Sequence, residues 1–243
     1  MDNILSFFIS FGTGMVGLSI GILIIYELSE RGKRFEGAML AFTAGLMLSI
    51  VCFELLPKAF EIGGLKIGLL GIGIGIFLVI IIEDLIDDNK YLNINFSSMY
   101  LKSAILLSVA FSIHNIPEGI AIGSMLSISS IEGLKFAFAI LVHNIPEGMI
   151  IALPLKKSKV NIIYAIIIIA IVSLFMGCGS IIGVFLSNIS SHYISLSLAI
   201  AGGVMLYVTT GEIIVKSMNQ WKGRTISLSI ILGIILGVLL SYN

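Results

Sequence analysis

Charged residues are scarce in this sequence of 243 residues, of which Asp, Glu, Lys and Arg make up 12%. A soluble domain has about 25% charged residues. Apolar residues make up 58% of the chain and occur in long runs. This composition excludes an ordinary soluble domain and indicates a polytopic membrane protein. The net charge is zero, so no excess of positive charge points to nucleic acid as a partner.

Cysteine and histidine are also scarce. The two cysteines, Cys52 and Cys178, both lie in apolar runs, which excludes a disulfide framework. The chain has three histidines, and two of them occur in one repeated string, HNIPEG, at 114–119 and 143–148. The N-terminal segment, MDNILSFFIS, has no basic residue before its apolar run. We therefore expect a retained span there rather than a cleaved signal.

Eight apolar windows approach the ~20 residues that a helix needs to cross ~30 Å of hydrocarbon. The windows are 4–26, 37–58, 66–86, 102–127, 132–155, 160–187, 192–217 and 225–241. The joints between them are short and polar, and none is long enough to hold a soluble domain. The sequence therefore predicts a single all-α membrane domain over residues 1–243, with eight transmembrane helices.

Basic residues are distributed unequally between the two sets of joints. Eleven of the fourteen Lys and Arg residues fall at the joints after spans 1, 3, 5 and 7. The other three, Lys58, Lys66 and Lys135, fall on the opposite side. Because positive joints stay in the cytoplasm, this distribution predicts that the KKSK joint at 156–159 is cytoplasmic. It also predicts a multi-pass protein of the cell membrane with both termini outside.

Both HNIPEG strings lie near the middle of their windows, 102–127 and 132–155. The two helices run antiparallel, so we expect the strings to meet at the bilayer midplane. An ionisable group there costs at least about 2.5–3.5 kcal/mol. Two matched sets of such groups therefore need a compensating partner.

The spacing within each string aligns polar groups on one side of a helix. His114 and Glu118 are four residues apart, and Asn115 and Glu118 are three apart. Pro117 lacks an N–H, so it frees the carbonyl oxygen of Ile113 and is expected to kink the helix. The second string repeats this pattern with His143, Asn144, Pro146 and Glu147.

Imidazole and carboxylate together suit Zn²⁺, Fe²⁺, Mn²⁺ and similar divalent metals. They suit Cu⁺ poorly, and an all-oxygen Mg²⁺ or Ca²⁺ site equally poorly. The alternative is that the two polar clusters pair with each other and only hold the helices together. The duplication of the whole string favours the metal site.

The string HNIPEG in span 4, with its copy in span 5, resembles the signature of the ZIP (Zrt/Irt-like) family of divalent metal transporters, in its prokaryotic form. The resemblance covers the whole chain and includes FELLPKAF in span 2. It implies a 3+2+3 arrangement, in which spans 1–3 and 6–8 form inverted repeats around spans 4 and 5. It also implies an elevator-like movement of metal into the cytoplasm. The implied metal ligands are His114, Asn115, Glu118, His143, Asn144 and Glu147.

The sequence departs from the family pattern in span 6, where many bacterial relatives carry a glutamate of a two-metal centre. The nearest stretch, SLFMGCGSIIG at 173–183, has Met176 or Gly177 at that position. We therefore expect one well-occupied metal. Glu54 and Glu212 match acidic positions of the family and are candidates for the entrance and exit. The alternative for Glu54 is an ordinary solvated helix end, and that for Glu212 is a snorkelling or capped residue. The joint between spans 3 and 4 has no histidine, so we expect no metal-sensing loop there.

Three functions compete for this site. The first is a transporter of Zn²⁺, or of Fe²⁺, Mn²⁺, Co²⁺ or Cd²⁺, with the metal as substrate rather than cofactor. The second, a membrane metalloenzyme, is disfavoured because the chain has neither H-E-x-x-H nor E-x-x-H; we expect no enzyme. The third, a gated channel on the same site, stays open. The expected partners are the metal ion and the lipid bilayer, and a homodimer is left open.

Overall fold

The computed structural model describes residues 3–27, 32–87 and 99–241, and its backbone is helical over nearly all of these ranges. The helices are α1 (Asn3–Glu27), α2 (Lys33–Ile50), α3 (Leu56–Asp87), α4 (Met99–Ile128), α5 (Ser130–Lys157), α6 (Ile162–Ser187), α7 (Ser191–Tyr207), α8 (Ile214–Gln220) and α9 (Arg224–Ser241). Two π-helical turns, Val51–Leu55 and Val208–Ile213, join α2 to α3 and α7 to α8. The all-α prediction is confirmed, since the described residues contain no strand.

Six helical runs among the described residues are long and apolar enough to cross a membrane. They are Asn3–Glu27, Lys33–Ile81, Ser130–Lys157, Ile162–Ser187, Ser191–Gln220 and Arg224–Ser241. The run Lys33–Ile81 has 49 residues, far more than the ~20 that one crossing needs. It is interrupted at Gly64, whose φ of 77° and ψ of 168° are not helical. Glycine adopts this conformation without a Cβ clash, and the break falls in the joint predicted between 37–58 and 66–86.

The other predicted windows agree with the helices. For α1, α4, α5, α6, α9 and the run from α7 to α8, the predicted ends lie within three residues of the observed ones. Helices α4 and α5 continue through Pro117 and Pro146, and a kink at either proline stays a prediction. The joint for which no metal-sensing loop is expected is DDNKYLNINFSSMY at 87–100, and residues 88–98 of it lie outside the described residues.

The helices pack in two groups. In the first, which we name the motif group because it carries both HNIPEG strings, α1 and α4 each pack against α5 and α6. In the second, the flanking group, α3 packs against α7, and α2 packs against α8 and α9. The boundary between the groups is formed mainly by α4 against α7 and by α2 against α5.

Glycines bring helices of the same group into backbone contact. A Cβ at Gly21 of α1 would overlap the carbonyl oxygen of Ile145 in α5. In the flanking group, a Cβ at Gly75 of α3 would overlap the carbonyl oxygen of Ile200 in α7. No glycine of the described ranges makes such a contact across the boundary. Close backbone packing through glycine is therefore confined, among the described residues, to helix pairs within one group, as small residues permit in membrane helices.

An ion pair marks each end of the contact between the two groups. Lys58, near the start of α3, lies 3.3 Å from Glu132 near the start of α5. Lys157, the last residue of α5, lies 2.9 Å from Glu36 near the start of α2. We refer to these two ends of the molecule as the Lys58 end and the Lys157 end.

Candidate metal centre

The glycine that ends each HNIPEG string allows its helix to pack closely against a neighbouring helix of the motif group. A Cβ at Gly119 of α4 would overlap the carbonyl oxygen of Met176 in α6, and a Cβ at Gly148 of α5 would overlap that of Leu18 in α1. The residue before each glycine is the glutamate of the string. Close helix packing therefore holds both carboxylates in place within the motif group.

Three ionisable side chains from the two strings meet at the middle of the motif group. The Nε2 atom of His143 lies 3.0 Å from Oε1 of Glu118 and 3.2 Å from Oε1 of Glu147. All three side chains are at most 1% exposed. Glu118 belongs to α4 and the other two belong to α5, so the cluster joins the two repeated strings. We name it the central cluster.

The central cluster has the spacing of a metal site. The three donor atoms all lie within 4.8 Å of one another. Tetrahedral ligands at about 2.1 Å from a Zn²⁺ ion are about 3.4 Å apart, close to the distances from His143 to its two carboxylates. One imidazole and two carboxylates are also the donor types that Zn²⁺ and related divalent ions prefer.

Two amides of the strings add further oxygen donors. Asn115 and Asn144 are both 0% exposed, and neither side-chain amide has a hydrogen-bond partner among the described residues. A buried amide without a partner costs about 1–3 kcal/mol, so such groups call for an explanation. A bound cation would supply one by taking the amide oxygens as ligands.

Three predicted site residues remain: His114 of the first string, and the entrance and exit candidates Glu54 and Glu212. The backbone of His114 is part of α4, but its side chain lies outside the described residues. Glu54 and Glu212 lie in the two π-helical turns of the flanking group, a helix form that is frequent at functional sites. Glu212 accepts a hydrogen bond from Lys216 at 2.6 Å. Both acids therefore belong to the flanking group and not to the central cluster.

A cavity of about 300 Å³ lies at the Lys58 end and is lined by residues of both groups, Glu54, Lys58 and Glu132 among them. Its wall includes Met125 of α4 and Phe136 of α5. Met125 is seven residues from Glu118, and Phe136 is seven residues from His143; seven residues are about 10 Å along a helix axis. The cavity therefore lies on the side of the central cluster that faces the Lys58 end.

Met176 and Gly177 of α6, the two candidate positions for the glutamate that many bacterial relatives carry, are directed toward α1. A Cβ at Gly177 would meet the ring of Phe7, and the sulfur of Met176 lies beside Gly14. The described helix α6 contains no acidic residue and no histidine. It therefore contributes no carboxylate or imidazole to the centre.

Comparison with known proteins decides the family. A model of the ZIP zinc transporter family matches residues 87–242, well over half of the chain. The chain belongs to the ZIP family. The resemblance inferred from the HNIPEG strings is thereby confirmed. ZIP proteins are transporters, so the expectation that the chain is not an enzyme is confirmed as well.

Several bacterial members of the ZIP family are similar to the chain over different lengths. It is 35% identical over 142 residues to zinc transporter GufA of Myxococcus xanthus, a stretch that covers 58% of this chain and 56% of GufA. It is 25% identical to zinc transporter ZIPB of Bordetella bronchiseptica, over 90% of this chain and 75% of ZIPB. It is 27% identical to zinc transporter ZupT of Stenotrophomonas maltophilia, over 85% and 83%. The match to GufA thus spans about half of that protein.

Proposed function

We propose that the chain transports divalent transition-metal ions, Zn²⁺ first among them, and that it binds them at the central cluster. The observation that carries the proposal is the buried meeting of Glu118, His143 and Glu147. An imidazole between two desolvated carboxylates, halfway along two apolar helices, is costly unless a cation is bound there. GufA, ZIPB and ZupT are all named zinc transporters, which supports the choice of metal. Fe²⁺, Mn²⁺, Co²⁺ and Cd²⁺ suit the same ligands.

His114, Asn115 and Asn144 complete the proposed ligand set. A single ion is held tightly, because two divalent ions a few Å apart repel each other and only Glu118 and Glu147 offset that repulsion. A third carboxylate from α6 is lacking. A second ion near the two amides is therefore bound more weakly.

The proposed architecture has eight membrane spans in a 3+2+3 arrangement with inverted repeats. Three features support it. The break at Gly64 divides the 49-residue run into two spans. A π-helical turn occurs in both the second and the seventh span. The packing is reciprocal, with α1 against α5 and α6 against α4, and with α3 against α7 and α9 against α2.

The proposed orientation puts the Lys157 end in the cytoplasm and both termini outside the cell. The unequal distribution of basic residues supports it. Single cysteines placed at Lys159 and at His192 test it in intact cells. A membrane-impermeant reagent is expected to label the cysteine at 192 and not that at 159; labelling at 159 from outside contradicts the orientation.

Transport is proposed to proceed by an elevator-like shift of the motif group along the flanking group. The close glycine packing within each group, and its absence between them among the described residues, supports two bodies that move as units. The metal enters from the cavity at the Lys58 end and leaves at the Lys157 end.

Metal uptake into proteoliposomes tests the function. We expect slow, saturable uptake of Zn²⁺ that is lost in His143→Ala protein reconstituted to the same density. A fast current proportional to voltage would instead show the alternative, a gated channel on the same site. Equal uptake by the wild type and by protein-free liposomes would contradict metal transport altogether.

A further inference from the structure

One buried acid takes no part in the central cluster. Glu36 lies in the first turn of α2 and is 4% exposed. Its Oε1 accepts a hydrogen bond from Nζ of Lys157 at 2.9 Å. A buried carboxylate is stable only with such a partner, because removing one member of the pair leaves an uncompensated charge. Glu36 belongs to the flanking group and Lys157 to the motif group, so this pair crosses the boundary between them.

The neighbouring lysine, Lys156, contacts a helix of its own group. Nζ of Lys156 donates hydrogen bonds to the carbonyl oxygens of Ile25 at 2.8 Å and Tyr26 at 3.1 Å. Both acceptors belong to the last turns of α1, within the motif group. The two adjacent lysines of α5 thus differ in their contacts. Lys156 connects α5 to its own group, and Lys157 connects it to the flanking group.

Lys157 also contacts a second helix of the motif group. Its Nζ lies 5.7 Å from the centre of the Tyr100 ring in α4, within range of a cation–π interaction. The ammonium is therefore held between α4 and α5 on one side and Glu36 of α2 on the other. Movement of the motif group along α2 would separate Lys157 from Glu36 without disturbing the contact to Tyr100.

The Lys58 end is less firmly closed. Lys58 is shared between Glu132 at 3.3 Å and Glu61 at 3.4 Å. The carboxylates differ most: the side chains of Glu132 and Glu61 are 49% and 70% exposed, whereas that of Glu36 is 6% exposed. The lysines are similar, at 27% for Lys58 and 35% for Lys157. The cavity of about 300 Å³ lies at this end. In this conformation the ion pair with the buried carboxylate and the open cavity are thus at opposite ends of the molecule.

We propose that Glu36 and Lys157 form a latch that keeps the Lys157 end closed and that breaks each time the motif group moves to release metal. This inference rests on the proposed transport function and adds to it a pair of residues that control the conformational change. The latch binds no metal. Its loss changes the rate of transport and leaves binding at the central cluster intact.

Reversible cross-linking is the first test. In a background with Cys52→Ser and Cys178→Ser, Glu36→Cys and Lys157→Cys are joined by a bifunctional methanethiosulfonate reagent. We expect Zn²⁺ uptake to fall at least about tenfold, because the link holds the protein in one of two states, and to recover when a reductant cleaves the link. Bound Zn²⁺ per chain stays constant. The control pair, Tyr26→Cys with Val160→Cys, replaces residues that contact each other within the motif group, and its cross-linking leaves uptake unchanged.

Charge reversal gives a second test that needs no cross-link. Glu36→Lys alone and Lys157→Glu alone each place like charges together, and we expect each to lower uptake by about tenfold. The double variant restores the pair and brings uptake back to within about twofold of wild type. Lys159→Glu, at an exposed position of the same joint, is the control and is expected to have little effect.

The outcomes separate the latch from the function itself. Uptake that persists after cross-linking, or a double variant no better than the single ones, overturns the latch while wild-type uptake still supports transport. Absence of uptake in the wild type and in the reduced protein overturns the proposed function instead.

Discussion

Helix α5 makes two kinds of charged contact, one at its middle and one at its ends. At the middle, His143 is completely buried and contacts carboxylates of its own motif group. At the ends, Glu132 and Lys157 contact charges of the flanking group. The middle of the helix therefore carries the proposed metal site, between helices that are proposed to stay together, whereas its ends connect helices that are proposed to move apart.

The two ends also differ from each other. The pair at the Lys157 end is short and has a buried carboxylate, whereas the pair at the Lys58 end is shared between two more exposed acids and lies beside a cavity. Exposed pairs contribute about 0–1 kcal/mol, and removing the partner of a buried carboxylate costs more. We therefore expect the Lys58 end to open more easily than the Lys157 end.

The largest effect is expected at the middle of the helix. Glu118→Ala, His143→Ala and Glu147→Ala each remove a donor from a desolvated site. Loss of a group that merely orients a ligand lowers metal affinity by about 10–100-fold, so loss of a ligand itself is expected to lower Zn²⁺ affinity by at least about 100-fold. Equilibrium binding to purified protein measures this. If the three variants bind Zn²⁺ like the wild type, the cluster only pins α4 to α5.

A somewhat smaller effect is expected for the packing that holds the motif group together. In Gly21→Ala, the added methyl group meets the backbone of α5, and such overpacking costs about 1–3 kcal/mol. Gly12 lies on the same helix with no atom within 4 Å of a Cβ, so Gly12→Ala serves as the control. We expect thermal unfolding in detergent to shift downward for Gly21→Ala alone. Equal shifts in both variants would contradict close packing between α1 and α5.

Substitution of the buried amides is expected to have a moderate effect. A neutral amide oxygen is a weaker donor than a carboxylate, so Asn115→Ala and Asn144→Ala should each lower Zn²⁺ affinity by about tenfold or less. The same substitutions remove buried polar groups that have no partner among the described residues, so the metal-free protein should gain stability. Zn²⁺ affinity and the thermal unfolding of the metal-free protein are measured for the same variants, and the first should fall while the second shifts upward. A loss of stability in the metal-free protein would show that the amides have structural partners.

The smallest effect is expected at the Lys58 end. In Lys58→Gln, the cavity loses a positive charge between two acids, and its potential becomes more attractive to cations. We expect Zn²⁺ uptake to rise about two- to threefold at low ionic strength and the gain to disappear at high salt. Lys66→Gln, an exposed lysine of α3, is the control. A gain that is independent of salt would indicate a conformational cause rather than an electrostatic one.

Local features of the sequence predicted much of the fold. Window hydropathy located the ends of most helices to within three residues, and the helical spacing of HNIPEG led to the residues of the central cluster. Both depend on neighbours within one or two turns, which a single sequence displays directly.

Features that depend on distant contacts were missed. Glu36 and Lys157 are 121 residues apart in the chain, and Glu36 stands in a charged joint where a solvated residue is expected. The sequence does show that Glu36, Leu40 and Thr43 share a helix face, but only the structure shows that this face is buried. The π-helical turns at Glu54 and Glu212, and the direction of Gly177 toward Phe7, depend on helix packing and left no comparable signal in the sequence.

Metal counting on the purified protein is the most direct test of whether the central cluster binds Zn²⁺. Wild-type protein and His143→Ala protein are equilibrated with the same Zn²⁺ buffer, desalted, and analysed for metal per chain, with His192→Ala as a control at the exposed histidine. We expect about one Zn²⁺ per chain for the wild type and for His192→Ala, and almost none for His143→Ala. Equal metal content in all three proteins would show that the central cluster does not hold the metal.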